Sequence, residues 1–477
     1  MYEILDELYR IEYGNRQRPL QKGPHSVLVG FDSFTNIVVK GNSLAENLGF
    51  SDETNLLDML KRKIYRIDFS AFVKGTKNIS NHIFLSGSSI ELASRFSREG
   101  LNTLLASTLS MKQKKMLNQN IKLLSSESIV KRNGSKSNVK LSINFPKENY
   151  LLESNERDSL NMMEINSDLK ERKELISSTS LFVIVGPQKL EDVKMTAVII
   201  RSVIEKNTKI HLEIPTKVIK DENALASLIK HLFPYIDSLS VSSFDLYKLV
   251  QVIREGPNMN RAAIRKEFSL PETLDKMREF WSLMNDESLP IVNTDRRRLS
   301  RVHIDTGRHN ILMIRRTDKR IPRDKGFREA AEEGRKRFIP DTDLGIAWPF
   351  VKISLARAAR LSHEMTCDAE ENALLNVTSC NMTMSYSNWP VAGQIDGKKR
   401  TEIRLDEKNP INCWHEDQPQ LSYSDNLSDK SQGKRYEYTD KSHVKKVSFC
   451  IAPTFQCGRL NDSQRNEVSA AMLSAHF

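Results

Sequence analysis

No apolar run in this 477-residue chain approaches the roughly 20 residues needed to cross a bilayer, which excludes an integral membrane protein. The opening MYEILDELYRIEYGNRQRP has no basic stretch followed by an apolar one, so it does not read as a signal peptide. Its apolar residues Ile4, Leu5, Leu8 and Ile11 are interleaved with acids and predict an amphipathic helix. Cysteine is scarce. Cys367, Cys380, Cys413, Cys450 and Cys457 all lie in the C-terminal quarter, and none forms a CxxC pair. That argues against a zinc site and a disulfide framework, and it fits a reducing compartment. There is no internal repeat.

Hydrophobic residues make up 39% and charged residues 28%, which excludes a mostly disordered chain. The length allows a large core with a lid or second lobe. Lys plus Arg is 72 and Asp plus Glu is 61, a net charge of +11. A basic surface attracts nucleic acid, anionic lipid or phosphorylated ligands, although over so long a chain a solvated surface explains the excess.

The clearest pattern runs from 180 to 247. Leu181-Phe-Val-Ile-Val185 is a continuous apolar run ended by Gly186-Pro187 and predicts a buried strand. Val193, Ala197, Ile200 and Ile204 then keep the spacing of a helix face over 190–205. A strand over 209–214, a helix over 222–233 stopped near Pro234, and a strand over 238–242 follow. This β-α-β-α-β order predicts a parallel sheet covered by helices, with a ligand crevice at the C-terminal ends of its strands. Upstream, 26–30 predicts a strand and 89–99 a helix. Residues 110–140 are rich in Lys, Ser and Asn and read as exposed connection. Residues 295–340 carry many arginines and read as a basic surface insertion, and polar 419–444 as a mobile loop.

Several stretches, taken in order, resemble the ADP-dependent glucokinases, sugar kinases of the ribokinase-like superfamily. Val29-Gly30-Phe31-Asp32-Ser33-Phe34-Thr35-Asn36 is similar to the family's V-G-x-N-x-x-x-D strand. Ser86-Gly87-Ser88 resembles its G-G-N turn. Ile210-His-Leu-Glu213 resembles its H-L-E strand, and Ser242-Ser-Phe-Asp245 its N-x-x-E. Leu299-Ser-Arg-Val-His303-Ile-Asp-Thr306 resembles L-T-R-I-H-F-H-T, and Trp414-His415-Glu416 resembles W-H-R. Val468-Ser469-Ala470 resembles the helix after its G-x-G-D. The resemblance covers almost the whole chain. It implies an α/β fold: a ribokinase-like large domain over 20–477 with a mostly parallel central sheet flanked by helices, plus a smaller discontinuous lid from about 38–80 and 135–175.

The resemblance also implies the chemistry, ADP plus D-glucose giving AMP plus glucose 6-phosphate in glycolysis. A carboxylate takes the sugar hydroxyl proton, glycine-rich backbone holds the phosphoryl group, and Mg²⁺ neutralises charge. Glu213 and Asp245 stand at the positions that organise the metal. Asp32, Asn36, Gly87, Ser88 and His303 stand at sugar-binding positions, with the family's Asn and Asp exchanged as Asp32 and Asn36. Counting back from Ser469, Asn466 stands where the catalytic Asp is expected, and the family's glycines are missing from 461–467. An amide cannot accept a proton as a carboxylate does, so the expectation is a catalytically impaired member or pseudoenzyme that still meets ADP and a hexose. An active kinase using Asp462 or Glu467 as base is the alternative. A polyanion-binding module built on 295–340 is a second alternative. It has no RNP-like motif and little aromatic interleaving, so nucleic acid is not expected as a partner, nor is a membrane. The expected location is cytoplasmic. The endoplasmic reticulum remains open if the N-terminus is incomplete, since animal relatives of the family carry a signal for it.

Overall fold

The computed structural model describes residues 2–13, 25–31, 34–61, 69–76, 81–107, 109, 111–124, 139–146, 148–153, 162–185, 190–205, 207–214, 221–257, 268–285, 299–315, 348, 350–367, 382–385, 402–406, 408–418, 445–455, 457 and 460–476. The expected mobile loop 419–444 lies outside them. The chain forms two compact units, residues 25–179 with 201–206, and residues 1–24, 180–200 and 207–477.

The first of these units begins with strand β1 (Ser26–Gly30), followed by β2 (Phe34–Lys40), β3 (Asn81–Ser86), β4 (Asn102–Ala106), β5 (Ile121–Leu123), β6 (Val139–Asn144) and β7 (Asn149–Glu153). Strands β1, β4 and β5 pair in parallel. The others form a separate four-stranded sheet in the order β3-β2-β6-β7. Alternation sends Ile37, Val39, Leu141, Ile143 and Leu152 to one face. There they pack with Leu44, Leu56, Leu60 and Phe72 from three short helices. Residues 110–140, expected to be an exposed connection, contain the helix Met111–Met116 and β5, whose Ile121 is buried. The apolar pair Ile121 and Leu123 was masked by its polar neighbours.

The second unit adds β8 (Thr179–Val185), β9 (Lys209–Glu213), β10 (Ser238–Ser242), β11 (Arg301–Asp305), β12 (His309–Arg315), β13 (Met382–Ser385), β14 (Glu402–Leu405), β15 (Asn412–Gln418) and β16 (Lys445–Pro453). Strands β8 to β11 are parallel in sequence order. Then β12, β16 and β15 continue the sheet antiparallel. The predicted β-α-β-α-β segment is present, with helices Leu190–Val203 and Glu222–His231 between its strands. Asp221 caps the second helix by accepting from the N–H groups of Asn223 and Ala224 at 3.0 and 3.2 Å. Among the described residues no helix is long and apolar enough to cross a membrane.

Two expectations fail here. Residues 299–315 are not part of a basic surface insertion: β11 and β12 are buried, and Arg301 and Arg315 are buried with them. The apolar run Ile311-Leu-Met-Ile314 overrides the arginines at its borders. The rest of 295–340 lies outside the described residues. The cysteines also pair: Cys367 with Cys457, and Cys413 with Cys450, with Cα separations of 4.9 and 4.1 Å. Spacing of 90 and 37 residues hid these pairs, because only strand register and helix packing bring them together.

The N-terminal helix Tyr2–Tyr13 is amphipathic as expected, with Ile4 and Leu8 buried. Its Glu12 is buried and accepts from Arg357 Nε at 3.0 Å and Arg360 Nε at 2.8 Å, both on the helix Val351–Thr366. Removing one partner of such a cluster leaves charge uncompensated in a dry site. Glu12→Gln is therefore expected to destabilise the fold by roughly 3 kcal/mol, read as a lower urea midpoint at unchanged slope. An unchanged midpoint would show that the cluster is only surface decoration.

Candidate functional site

Strands β9 and β11 carry Glu213 and His303, and the helix that follows β10 carries Asp245. Strand register sets Glu213, Ser240 and His303 side by side, and Ser242 beside Asp305 one pleat further on. Alternation gives the sheet two unlike faces. Leu212, Leu239, Val241, Val302 and Ile304 fill one. His211, Glu213, Ser238, Ser240, Arg301 and His303 share the other.

Two hydrogen-bonded chains cross that polar face. In the first, Arg301 Nη1 donates to Ser238 Oγ at 3.0 Å, and Ser238 Oγ meets His211 Nδ1 at 2.9 Å. His211 Nε2 meets Glu213 Oε2 at 3.2 Å. Burial holds His211 below its ordinary pKa, hence neutral, although Glu213 opposes the shift. The tautomer with hydrogen on Nε2 then donates to Glu213 and accepts from Ser238. Glu213 Oε2 also accepts from Ser469 Oγ at 2.7 Å, which ties β9 to the final helix, Asp462–Ser474. In the second chain Ser240 Oγ meets His303 Nδ1 at 2.7 Å, and His303 Nε2 meets Asn310 Oδ1 at 3.0 Å. Asn310 Nδ2 donates to Thr454 Oγ1 at 3.2 Å.

Asp245 lies in the first turn of the helix Ser243–Glu255 and is buried. Ser242 caps that helix: its Oγ accepts from the Asp245 N–H at 3.1 Å and donates to Asp245 Oδ2 at 2.6 Å. Glu213 and Asp245 thus stand at the ends of adjacent strands, each with partners from the chain itself. Among the described residues no three His, Cys, Asp or Glu side chains gather as a metal site.

The final helix starts at Asp462, with Asn461 as its cap. Asn461 Oδ1 accepts from the Gln464 N–H at 2.9 Å, and Gln464 Oε1 accepts from the Asn461 N–H at 3.0 Å. Asn466 and Glu467 lie a turn inside the helix, so Asp462 is the acid at its start. Arg465 Nε stands 3.9 Å from Asp305 Oδ2.

The sugar-binding candidates in the other unit are Asn36 on β2, where it accepts from Ser142 Oγ at 3.0 Å, and Gly87 with Ser88 at the start of the helix Ser88–Arg98. Gly87 has φ of 123°, which a side chain would resist, so Gly is required at this turn. Asp32 lies outside the described residues.

Sequence reasoning did not find Ser238, Arg301, Asn310 or Ser469. A signal existed for two of them: Ser238, Ser240 and Ser242 alternate with Leu239 and Val241, and Arg301, His303 and Asp305 with Val302 and Ile304. The partners from β12 and the final helix had no such signal.

The family model described as "ADP-specific Phosphofructokinase/Glucokinase conserved region" matches residues 68–337, more than half of the chain. No curated protein sequence matches it. Solved structures similar to it in fold include the following three. An inferred last common ancestor of ADP-dependent phosphofructokinases from Methanosarcinales is 12% identical with a TM-score of 0.52, over 100% of this chain and 97% of that one. An ADP-dependent kinase in complex with fructose-6-phosphate and ADPβS is also 12% identical, at 0.51 and the same coverage. A hypothetical ADP-dependent phosphofructokinase from Pyrococcus horikoshii OT3 is 10% identical, at 0.53, over 95% and 98%. The shared architecture is ribokinase-like.

Two buried histidines make the fold sensitive to acid. Burial lowers the pKa of His303, with Arg301 adding to the effect, and that of His309, with Arg308 adding, each to about 4 from 6.5. The unfolded chain therefore binds more protons between pH 6.5 and 4. The stability these neutral rings contribute is complete above pH 6.5 and is lost as the pH falls through that window. The urea midpoint is expected to decline between pH 6.5 and 4, more shallowly in His303→Gln. Parallel pH profiles for the two proteins would contradict this assignment.

Proposed function

Because the chain belongs to the ADP-specific phosphofructokinase/glucokinase family, we propose that it holds a nucleoside diphosphate and a hexose while phosphoryl transfer between them is impaired. The observation that carries this reading is the reciprocal capping box at the start of the final helix. Open N–H groups at a helix start hold anions. Here the Gln464 N–H is taken by Asn461, the Asn461 N–H is taken by Gln464, and Gln464 Nε2 is anchored on Met365 O at 3.0 Å. Side chains of the chain itself fill the place that the family's glycines leave for the phosphoryl group. Asn466, counted as the catalytic position, has no carboxylate to take a proton.

One observation favours a residual activity. Asp462 is the first helical residue and is exposed, which is where the Asp of G-x-G-D precedes its helix. This supports Asp462 over Glu467 as the base. In that role its carboxylate takes the hydroxyl proton of the sugar as the sugar oxygen bonds to the β-phosphorus. The bond to the bridging oxygen breaks and AMP leaves.

Glu213 and Asp245 are oxygen donors of the kind that suits Mg²⁺, which combines one or two carboxylates with substrate phosphates. They fit an ion that arrives with the nucleotide and is held through water. When bound, it would neutralise phosphate charge. His303 supports the sheet behind them through Ser240 and Asn310. The two disulfides fit an oxidising compartment better than the cytosol, so the endoplasmic reticulum is the proposed location.

The test is AMP release by the purified chain from ADP and Mg²⁺ with glucose or fructose 6-phosphate, beside calorimetry with Mg-ADP. A lost base is worth about 10²–10⁴-fold and a lost anion donor about 10²–10³-fold, not strictly multiplicative. Turnover is therefore expected far below the roughly 1–10³ per second usual for enzymes, with ADP binding retained. Asn461→Gly costs the cap only a few tenths of a kcal/mol and exposes the Gln464 N–H, so it is expected to raise turnover. Asp462→Asn is expected to abolish what remains. Ordinary turnover by the native chain would end the impaired reading, and no heat with Mg-ADP would end the nucleotide-binding one.

A further inference from the structure

The hydroxyl of Ser469 sits where the fold itself gains little from it. Residues 468–474 of the final helix are all buried. Alanine is the better helix former and carries no polar group into a dry site, and Ala470 and Ala471 fill the next two positions. Buried helical serines can satisfy themselves on a carbonyl one turn back. Ser362 does so on Ala358 O and Ser474 on Ala471 O, each at 2.8 Å. Ser469 instead gives its hydrogen to Glu213 Oε2 at 2.7 Å, across to the end of β9.

Which oxygen it takes matters. His211 Nε2 meets the same Oε2 at 3.2 Å. Both donors converge on one oxygen, and among the described residues Oε1 receives no hydrogen bond. The last torsion of a glutamate side chain is broad, so the rotamer alone fixes neither oxygen. Two donors from different elements, one on the strand and one on the helix, select the orientation. The Glu213 side chain keeps 17% of its surface exposed while that of His211 is wholly buried. Oε1 is therefore the oxygen left open to a ligand's water.

The same contact sets the roll of the helix. Ser469 lies roughly two turns after Asp462, with Arg465 between them on the same side. Arg465 faces Asp305 at the end of β11. Contacts at β9 and β11 thus turn this side of the helix, Asp462 included, toward the strand ends.

We propose that Ser469 is a positioning residue for the nucleotide's metal: its hydroxyl locks Glu213 Oε2, which leaves Oε1 to the water shell of the Mg²⁺ that arrives with ADP. The assignment rests on the reading that the chain binds Mg-ADP, and it adds the residue that couples the final helix to that ion.

The experiment is calorimetry of ADP binding to the full chain, once with Mg²⁺ and once with a chelator. The readout is the factor by which Mg²⁺ tightens ADP. Ser469→Ala is expected to cut that factor by at least about tenfold, the scale of one hydrogen bond to a charged group. ADP binding in chelator should match the native chain. Ser474→Ala removes another buried hydroxyl from the same helix, one bonded by Arg357 and not by Glu213, and should keep the native factor. On a Glu213→Gln background Ser469→Ala should change nothing further, because its effect passes through the carboxylate. An unchanged factor in Ser469→Ala, an equal loss in Ser474→Ala, or weakened ADP binding in chelator overturns the assignment. So does a full effect of Ser469→Ala on the Glu213→Gln chain. If ADP binds the native chain equally with and without Mg²⁺, the assignment falls alone. If ADP does not bind at all, the reading beneath it falls as well.

Discussion

A guanidinium buried in the middle of a sheet constrains much of the larger unit. Arg301 is 1% exposed, and burial pulls its pKa down to about 9 even with Glu213 opposing the shift. A charge in such a place needs a partner and directed hydrogen bonds. The chain from Arg301 through Ser238 and His211 to Glu213 supplies them, each member donating to the next. Trp348 adds a ring face 5.5 Å from the guanidinium. Glu213 is therefore fixed before any ligand is considered. The final helix is tied to it through Ser469, and its far end is held by Arg357, which donates to Ser474 at 2.8 Å and also to Glu12. Sheet, last helix and first helix form one electrostatic sequence.

Much of this was legible in the residues. The buried strand at 181–185, the helices after it and the parallel order follow from apolar periodicity, which depends on nearby residues alone. The resemblance located Glu213, Asp245 and His303 at or near the strand ends. What escaped depends on distant residues. Arg301 and Arg315 look like surface charges until the apolar stretches beside them commit both strands to the core. Cys413 and Cys450 meet because β15 and β16 set them opposite each other. Counting back from Ser469 leads to Asn466, a turn inside the final helix, while the Asn461–Gln464 capping box, which only the folded backbone closes, puts the helix start at Asp462.

The same physical substitution recurs at three places where the family's ligands would be held. Glu213 is bonded by His211 and Ser469, Asp245 by the Ser242 hydroxyl, and the final helix start by Asn461 and Gln464. A ligand-binding site keeps polar groups oriented but unsatisfied, at a cost in stability, until the ligand arrives. A typical intramolecular hydrogen bond contributes only about 1 kcal/mol, but leaving a buried polar atom unmade costs more. A chain released from turning over substrate would be expected to drift toward filling such positions from within.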